Sequence, residues 1–157
     1  MICNDVFSQN DTTKTAKNLI YVEFAGAGGY GSVNYERVIK SSKQFMLGLR
    51  LGAGTYHIND YTAAFNPDII VPISLNAYYG KTHKVELDFG QVFSNTVIAN
   101  EFNFEPDRES DFHSFFSLGY RYQKQKGGLL FRCVYTPVFE FNSYFRQWFG
   151  VSIGYSF

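Results

Sequence analysis

The sequence predicts an all-β fold, an eight-stranded antiparallel up-and-down transmembrane β-barrel with a filled polar interior. Three observations lead there. Period-two alternation of apolar and polar residues recurs along the chain, while no useful window keeps a 3.6-residue period. The connectors between the alternating runs fall into a short set and a long set, so that short turns can share one rim and long loops the other. No apolar run approaches the ~18 residues of a membrane helix, yet aromatic residues make up 19% of the 157-residue chain. The 14 basic and 14 acidic side chains cancel, which disfavours a nucleic-acid partner.

Each strand follows from its own alternation. Leu19–Gly26 sets Ile20, Val22 and Phe24 against Tyr21, Glu23 and Ala25. Ser32–Ile39 sets Val33 and Tyr35 against Ser32, Asn34 and Glu36. Phe45–Ala53 sets Phe45, Leu47, Leu49 and Leu51 against Met46, Gly48, Arg50 and Gly52. Ile69–Tyr79 sets Ile69, Val71, Ile73 and Leu75 against Ile70, Pro72, Ser74 and Asn76. Val85–Phe93 sets Val85, Leu87 and Phe89 against Glu86, Asp88 and Gly90. Phe115–Gln123 sets Phe116, Leu118, Tyr120 and Tyr122 against Ser117, Gly119, Arg121 and Gln123. Leu129–Tyr135 sets Leu129, Phe131, Cys133 and Tyr135 against Leu130, Arg132 and Val134. Trp148–Phe157 sets Phe149, Val151, Ile153, Tyr155 and Phe157 against Gly150, Ser152, Gly154 and Ser156. Pro72 conflicts with a central strand, because it lacks a ladder donor, and predicts a bulge or local break.

After a tight Ala27–Gly31 turn, the short connectors are Lys40–Gln44, Gly80–Lys84 and Lys124–Gly128. The long ones are Gly54–Asp68, Ser94–Ser114 and Thr136–Gln147. Residues 1–17 read as a disordered leader or signal-peptide remnant: Met1 to Gln9 carry only part of a secretory signal, which predicts an upstream start. Residues 18–157 form the barrel domain. Cys3 falls in the leader and Cys133 in an apolar run, so a disulfide framework is not expected.

The facing of the alternation separates two kinds of closed sheet. A soluble lipocalin-like ligand-binding barrel hides its apolar face, whereas a membrane barrel turns that face to lipid. The small or polar face here carries Glu23, Glu36, Arg50, Glu86, Asp88, Arg121 and Arg132, and no lysine falls in a predicted strand. A near balance of carboxylates and arginines suits a buried ion-pair network, since buried charge must be paired and Arg is the preferred buried cation. Arg37 falls on the apolar face near a rim, where its stem can snorkel to headgroups. An eight-stranded lumen is just wide enough for side chains to fill, so the seven residues predict a plug of ion pairs rather than an ion path.

The chain ends Phe149-Gly150-Val151-Ser152-Ile153-Gly154-Tyr155-Ser156-Phe157. With Tyr155 two residues before a terminal Phe157, this ending resembles the C-terminal signal read by the barrel-assembly machinery. The resemblance extends further. Val22-Glu23-Phe24, Val33-Asn34-Tyr35-Glu36-Arg37, Gly119-Tyr120-Arg121-Tyr122-Gln123, Gly127-Gly128-Leu129-Leu130-Phe131-Arg132 and Gly154-Tyr155-Ser156-Phe157, in that order and spacing, resemble the small outer-membrane β-barrel proteins of Bacteroidetes-type bacteria. The resemblance covers roughly residues 18–157. It implies the fold and a bacterial outer-membrane location, with outer-membrane lipid and the assembly machinery as partners, and brings no catalytic residues.

The expected role is structural or surface interaction through the long external loops of a monomer without an open pore, cofactor or metal. Two other readings compete. An envelope enzyme of the lipid A deacylase type would use His113 and Ser114, but adjacent strand residues face opposite sides. The soluble ligand-binding barrel is the other. His57 and His83 lack metal-ligand spacing. The run Glu101–Asp111 is acidic and reads as a solvated external loop, with Phe102 and Phe104 available to the bilayer or a partner. Lysines 14, 17, 40, 43, 81, 84, 124 and 126 fall in the leader and the short turns, whereas Asp60, Asp68, Glu101, Glu105, Asp107, Glu109, Asp111 and Glu140 outnumber Arg108 and Arg146 in the long loops. Neutrality therefore hides a charge separation along the barrel axis.

Overall fold

The computed structural model describes residues 15–42, 44–100, 104–139 and 145–157. Eight strands follow in chain order: β1 Asn18–Phe24, β2 Gly31–Ser41, β3 Phe45–Thr55, β4 Ile69–Gly80, β5 His83–Ala99, β6 Pro106–Gln123, β7 Gly128–Phe139 and β8 Phe145–Ser156. Each pairs antiparallel with its chain neighbours, and β1 closes on β8 from Leu19↔Ser156 to Phe24↔Val151. The expected barrel is therefore present, with every predicted strand in its place. Closure removes the free edges that an open sheet would leave for aggregation.

The predicted alternation sets the two faces. Ile20, Val22, Val33, Leu49, Leu51, Ile73, Leu87, Leu118, Val151 and Ile153 are exposed on the outside, while Glu23, Glu36, Arg50, Glu86, Asp88, Arg121 and Arg132 are buried in the lumen. Outward aromatic residues mark both ends, with Phe89 and Phe116 between them. Phe45, Tyr79, Tyr120 and Tyr155 lie near the short-turn end, and Phe24, Phe112 and Phe149 near the other.

Three expectations need correction, and the one at Pro72 is met in one of its two forms. The Ser94–Ser114 connector is mostly ladder: β5 and β6 stay paired out to Ala99↔Pro106. The β-branched run Thr96-Val97-Ile98 favours strand, so the ribbon extends past the barrel wall. Likewise β7 and β8 pair up to Phe139↔Phe145, which shortens the Thr136–Gln147 connector. Of the bulge or local break expected at Pro72, the break is present. Pro72 stays paired with Val92 of β5, but the β3–β4 ladder is interrupted between Leu51↔Ile73 and Gly54↔Ile70, as a missing N–H donor requires. The register shift occurs instead between Val38 and Lys40 of β2. Finally, lysines do enter strands: Lys40 lies in β2, and Lys84 lies in β5 and is buried.

The β1–β2 connector emerges beside the long loops, since it follows an upward strand. It does not stand up from the rim. A single 3-10 turn, Gly26–Gly28, tucks inward with all three residues buried. Gly26 and Gly29 both take φ 83°, a conformation that glycine alone adopts without strain. Residues 15–17, the end of the predicted leader, pack on the opposite rim: Ala16 N donates to Gln125 O at 2.9 Å, and Lys17 O accepts from Val38 N at 2.8 Å. Cys3 and residues 1–14 lie outside the described residues, as do Lys43, Glu101, Phe102 and Glu140.

Candidate functional site

Inward alternation on eight strands fills the lumen in three layers. Next to the short-turn end, Leu19, Tyr21, Val38, Met46, Tyr78 and Leu130 form an apolar layer. Near the other end, Ala27, Ile70, Val92, Phe115 and Val138 form a second, with Tyr56 and Trp148 packed against it. Between them lies charge.

The structure brings all seven sequence-predicted interior residues into this middle layer. Arg121 grips Glu36 with both terminal nitrogens, Nη1–Oε1 at 2.8 Å and Nη2–Oε2 at 2.7 Å, and its Nε reaches Glu86 Oε2 at 2.6 Å. Arg132 donates from Nε to Glu86 Oε1 at 2.7 Å, and also bonds Glu23 and Asp88. Arg50 donates to Glu23 Oε1 at 2.6 Å and to Asn34 Oδ1 at 2.8 Å. Asn76 adds a bond to Glu36 at 2.9 Å, and Ser152 one to Glu23 at 3.3 Å. These side chains are at most 1% exposed. Their desolvation is costly and is offset because each charge faces an opposite one, although Asp88 Oδ1 is left without a hydrogen bond among the described residues. Two rings floor the network: Tyr21 lies under Arg50 and Arg132, and Tyr78 under Arg121 at 4.3 Å from the ring centre.

Lys84 is a lumen residue that sequence reasoning placed in a turn. Its Nζ lies 3.2 Å from Gln123 Oε1 and 5.1 Å from the Tyr78 ring centre. The signal was present in the parity: Lys84 precedes Glu86 and Asp88 by even steps. Counting it, the interior of four carboxylates and three arginines gains a fourth cation.

The remaining candidates do not converge. His113 is buried on the lumen side of β6, whereas Ser114 takes the opposite face, paired with Gln91 and Phe139. His57 sits at the mouth, where Asp68 Oδ2 accepts from its backbone N at 3.1 Å and meets its Nδ1 at 3.0 Å. Asp68 Oδ1 also accepts from Val97 N at 2.9 Å, tying the 56–68 loop to the projecting β5–β6 ribbon. His83 faces outward at the short-turn end, with Nδ1 2.6 Å from Tyr120 Oη. Cys133 is half-buried on the outer face and unbridged. Among the described residues, no group of three or more His, Cys, Asp or Glu is placed to hold a metal.

The mouth is roofed by rings. Trp148 lies 5.6 Å from Tyr30 and 6.1 Å from Tyr56, centre to centre. Beside them is a cleft of about 340 Å³ lined by His57, Asn59, Asp60, Tyr61, Asn66 and Asp68. Asp60 shapes its wall: Oδ1 accepts from Thr62 Oγ1 at 2.6 Å and from Thr62 N at 2.8 Å. Those bonds hold its carboxyl below the usual aspartate range. Tyr61 Oη donates to Phe104 O at 2.7 Å.

A closed eight-stranded antiparallel wall with an apolar outside and an ion-paired inside defines the fold of the outer-membrane barrels. Solved structures agree. The chain is similar to the N-terminal β-barrel domain of Pseudomonas aeruginosa OprF, with a TM-score of 0.62 at 12% identity over 92% of this chain and 98% of that one. It is also similar to the Yersinia pestis outer membrane protein Ail in a phospholipid bilayer nanodisc, with a TM-score of 0.53 at 8% identity over 90% and 99% of the two chains. Ail in complex with the heparin analogue sucrose octasulfate gives a TM-score of 0.59 at 7% identity over 90% and 95%. No protein-family model matches the chain, and no curated protein matches it in sequence.

Proposed function

We propose that this chain is a monomeric barrel of the bacterial outer membrane, of the Bacteroidetes type its motifs resemble. It is closed to solutes and meets its partners through the loops at the mouth. The observation that carries this reading is the inversion of polarity. An apolar belt rings the outside while three arginines and four carboxylates lock the lumen. A soluble barrel around a ligand needs the opposite arrangement. Tyr155 and Phe157 carry the signal for the assembly machinery, and outer-membrane lipid covers the belt.

The test has two readouts. The folded protein should need detergent for extraction and should run faster unheated than boiled on a gel. In planar bilayers it should give no large, stable single-channel current. A protein that stays in solution without detergent sinks the membrane reading, and a steady large conductance sinks the plug.

A further inference from the structure

All exposed lysines among the described residues lie at one end of the barrel. Lys17 precedes β1, Lys40 ends β2, Lys81 sits in the β4–β5 turn, and Lys124 and Lys126 sit in the β6–β7 turn. Arg37, exposed on the outer face of β2, adds a sixth cation to the same rim. Among the described residues, no carboxylate lies within ion-pair distance of any of them; Glu36 and Glu86, nearest along the strands, point inward and are held by Arg121. Just inside this rim the outer face carries aromatic rings with polar tips turned to rim residues. Tyr35 Oη donates to Asn18 at 2.8 Å, and Tyr79 Oη donates to Gln44 at 2.5 Å. The opposite end is acidic: Glu105, Asp107, Glu109 and Asp111 are exposed on and beside the projecting ribbon.

We infer that the short-turn rim, through Lys17, Arg37, Lys40, Lys81, Lys124 and Lys126, is a docking surface for the headgroups of anionic phospholipids in the adjoining leaflet. The inference rests on the membrane reading above and adds the lipid class and the leaflet. A ring of unpaired cations just beyond an aromatic belt sits at headgroup depth, where long stems can follow the interface. Lysine suits this better than arginine would. It is a compact, hydrated charge on a flexible stem, matched to fluid phosphates rather than to one fixed partner. An anionic leaflet attracts such segments within a Debye length, whereas it repels the acidic end. The chain therefore has a preferred polarity in a charged bilayer.

The test compares the protein folded into phosphatidylcholine vesicles and into vesicles with about one-third phosphatidylglycerol. The readout is the midpoint of heat-induced loss of the fast-migrating band. The expected result is a midpoint several degrees higher with phosphatidylglycerol at low salt, with the gain shrinking as salt rises. A combined K17Q/K40Q/K81Q/K124Q/K126Q variant should keep its midpoint in phosphatidylcholine and lose most of the gain. D107N/E109Q/D111N at the other rim should keep it. Equal midpoints in the two lipids, or an equal gain in the lysine variant, overturn the inference while leaving the membrane reading intact. The same gain from soluble polyglutamate added to phosphatidylcholine vesicles would assign the rim to a polyanion and overturn it too. Failure to enter either vesicle overturns both readings.

Discussion

Arg132 and Glu86 are joined by a 2.7 Å bond although their strands, β7 and β5, are not neighbours in the wall. The bond crosses the lumen past β6. Arg132 also holds Glu23 of β1 and Asp88 of β5, so one guanidinium ties three strands together. Replacing it by alanine leaves three carboxylates short of a partner in a site closed to water. R132A should cost about 3–5 kcal/mol, read from urea unfolding in detergent. R132K should recover only part, since all three N–H groups of an ammonium leave one atom and cannot span acceptors that the guanidinium reaches from three separate nitrogens. Wild-type stability in R132A would show that water reaches this layer freely.

Tyr21 separates ring from hydroxyl. Its ring lies 5.7 Å from Arg50 and 5.8 Å from Arg132, but its buried Oη has no hydrogen-bond partner among the described residues. Y21F keeps the ring and removes an orphaned polar atom, so its stability should match or exceed wild type. Y21L loses the cation–π contacts and should fall by about 1–3 kcal/mol. If Y21F were the more damaging of the two, the hydroxyl would have to be paired.

How much of this was legible in the sequence depends on which end of a strand is considered. Within the strands, period two fixed the facing of Glu23, Arg50, Asp88 and Arg132 without error, because one step of misregister would put charge against the apolar outside. Legibility failed at the ends. Lys84 closes the polar Gly80–Lys84 run that reads as a turn, although its parity matches Glu86. The β5–β6 ribbon reads as a loop because its residues are polar. Polarity reports solvent on both faces, and a two-stranded ribbon beyond the wall is solvated on both faces as well. The inward Gly26–Gly28 turn was hidden for another reason. Nothing local distinguishes a glycine turn that stands up from one that folds down onto Ile70 and Phe115.

That turn rests on Gly54. A Cβ there would come 2.2 Å from Gly28 O and 2.7 Å from Gly31 O, both backbone atoms that cannot step aside. G54V should therefore push the turn out of the mouth while the ion-paired layer below holds the barrel closed. Trp148, the one tryptophan, reports on it, because it stacks near Tyr30 just beyond the turn. The expected result is a red-shifted Trp148 emission with far-ultraviolet circular dichroism unchanged. An unshifted emission would mean that the turn does not depend on the space above Gly54.

The Asp60 loop should be acid-sensitive in a defined direction. Thr62 lowers the Asp60 carboxyl in the native loop through its hydroxyl and its N–H. A native value below the unfolded one means that the charged form binds the fold. The stabilisation is complete above the unfolded aspartate value and is lost as pH falls through the native one. The loop should hold its shape down to distinctly acid pH. T62V removes the hydroxyl bond and should move the Asp60 titration upward, seen by carboxyl-carbon NMR in detergent. D60N should mimic the acid state at neutral pH, loosening the Tyr61–Phe104 bond across the cleft. A titration unmoved by T62V would show that the Asn66 amide and the backbone N–H groups of Thr62 and Ala64 set the carboxyl without the hydroxyl.

The final aromatic pair separates assembly from folding. Tyr155 and Phe157 are both exposed on the outer face, at 59% and 55%, and neither takes part in the lumen network. Their loss leaves the lumen network intact, so the barrel should still fold, at a cost set by the apolar surface each variant withdraws from detergent. In the reading proposed above, Tyr155 and Phe157 are what the assembly machinery recognises. F157A and Y155A should refold in detergent with wild-type yield and heat-modifiable mobility. In cells, the same variants should reach the outer membrane at clearly reduced levels, with the unassembled chain degraded. Separating the two readouts decides the matter. A parallel loss in detergent and in cells makes the pair structural, whereas a loss in cells alone makes it a recognition element that the folded barrel does not otherwise need.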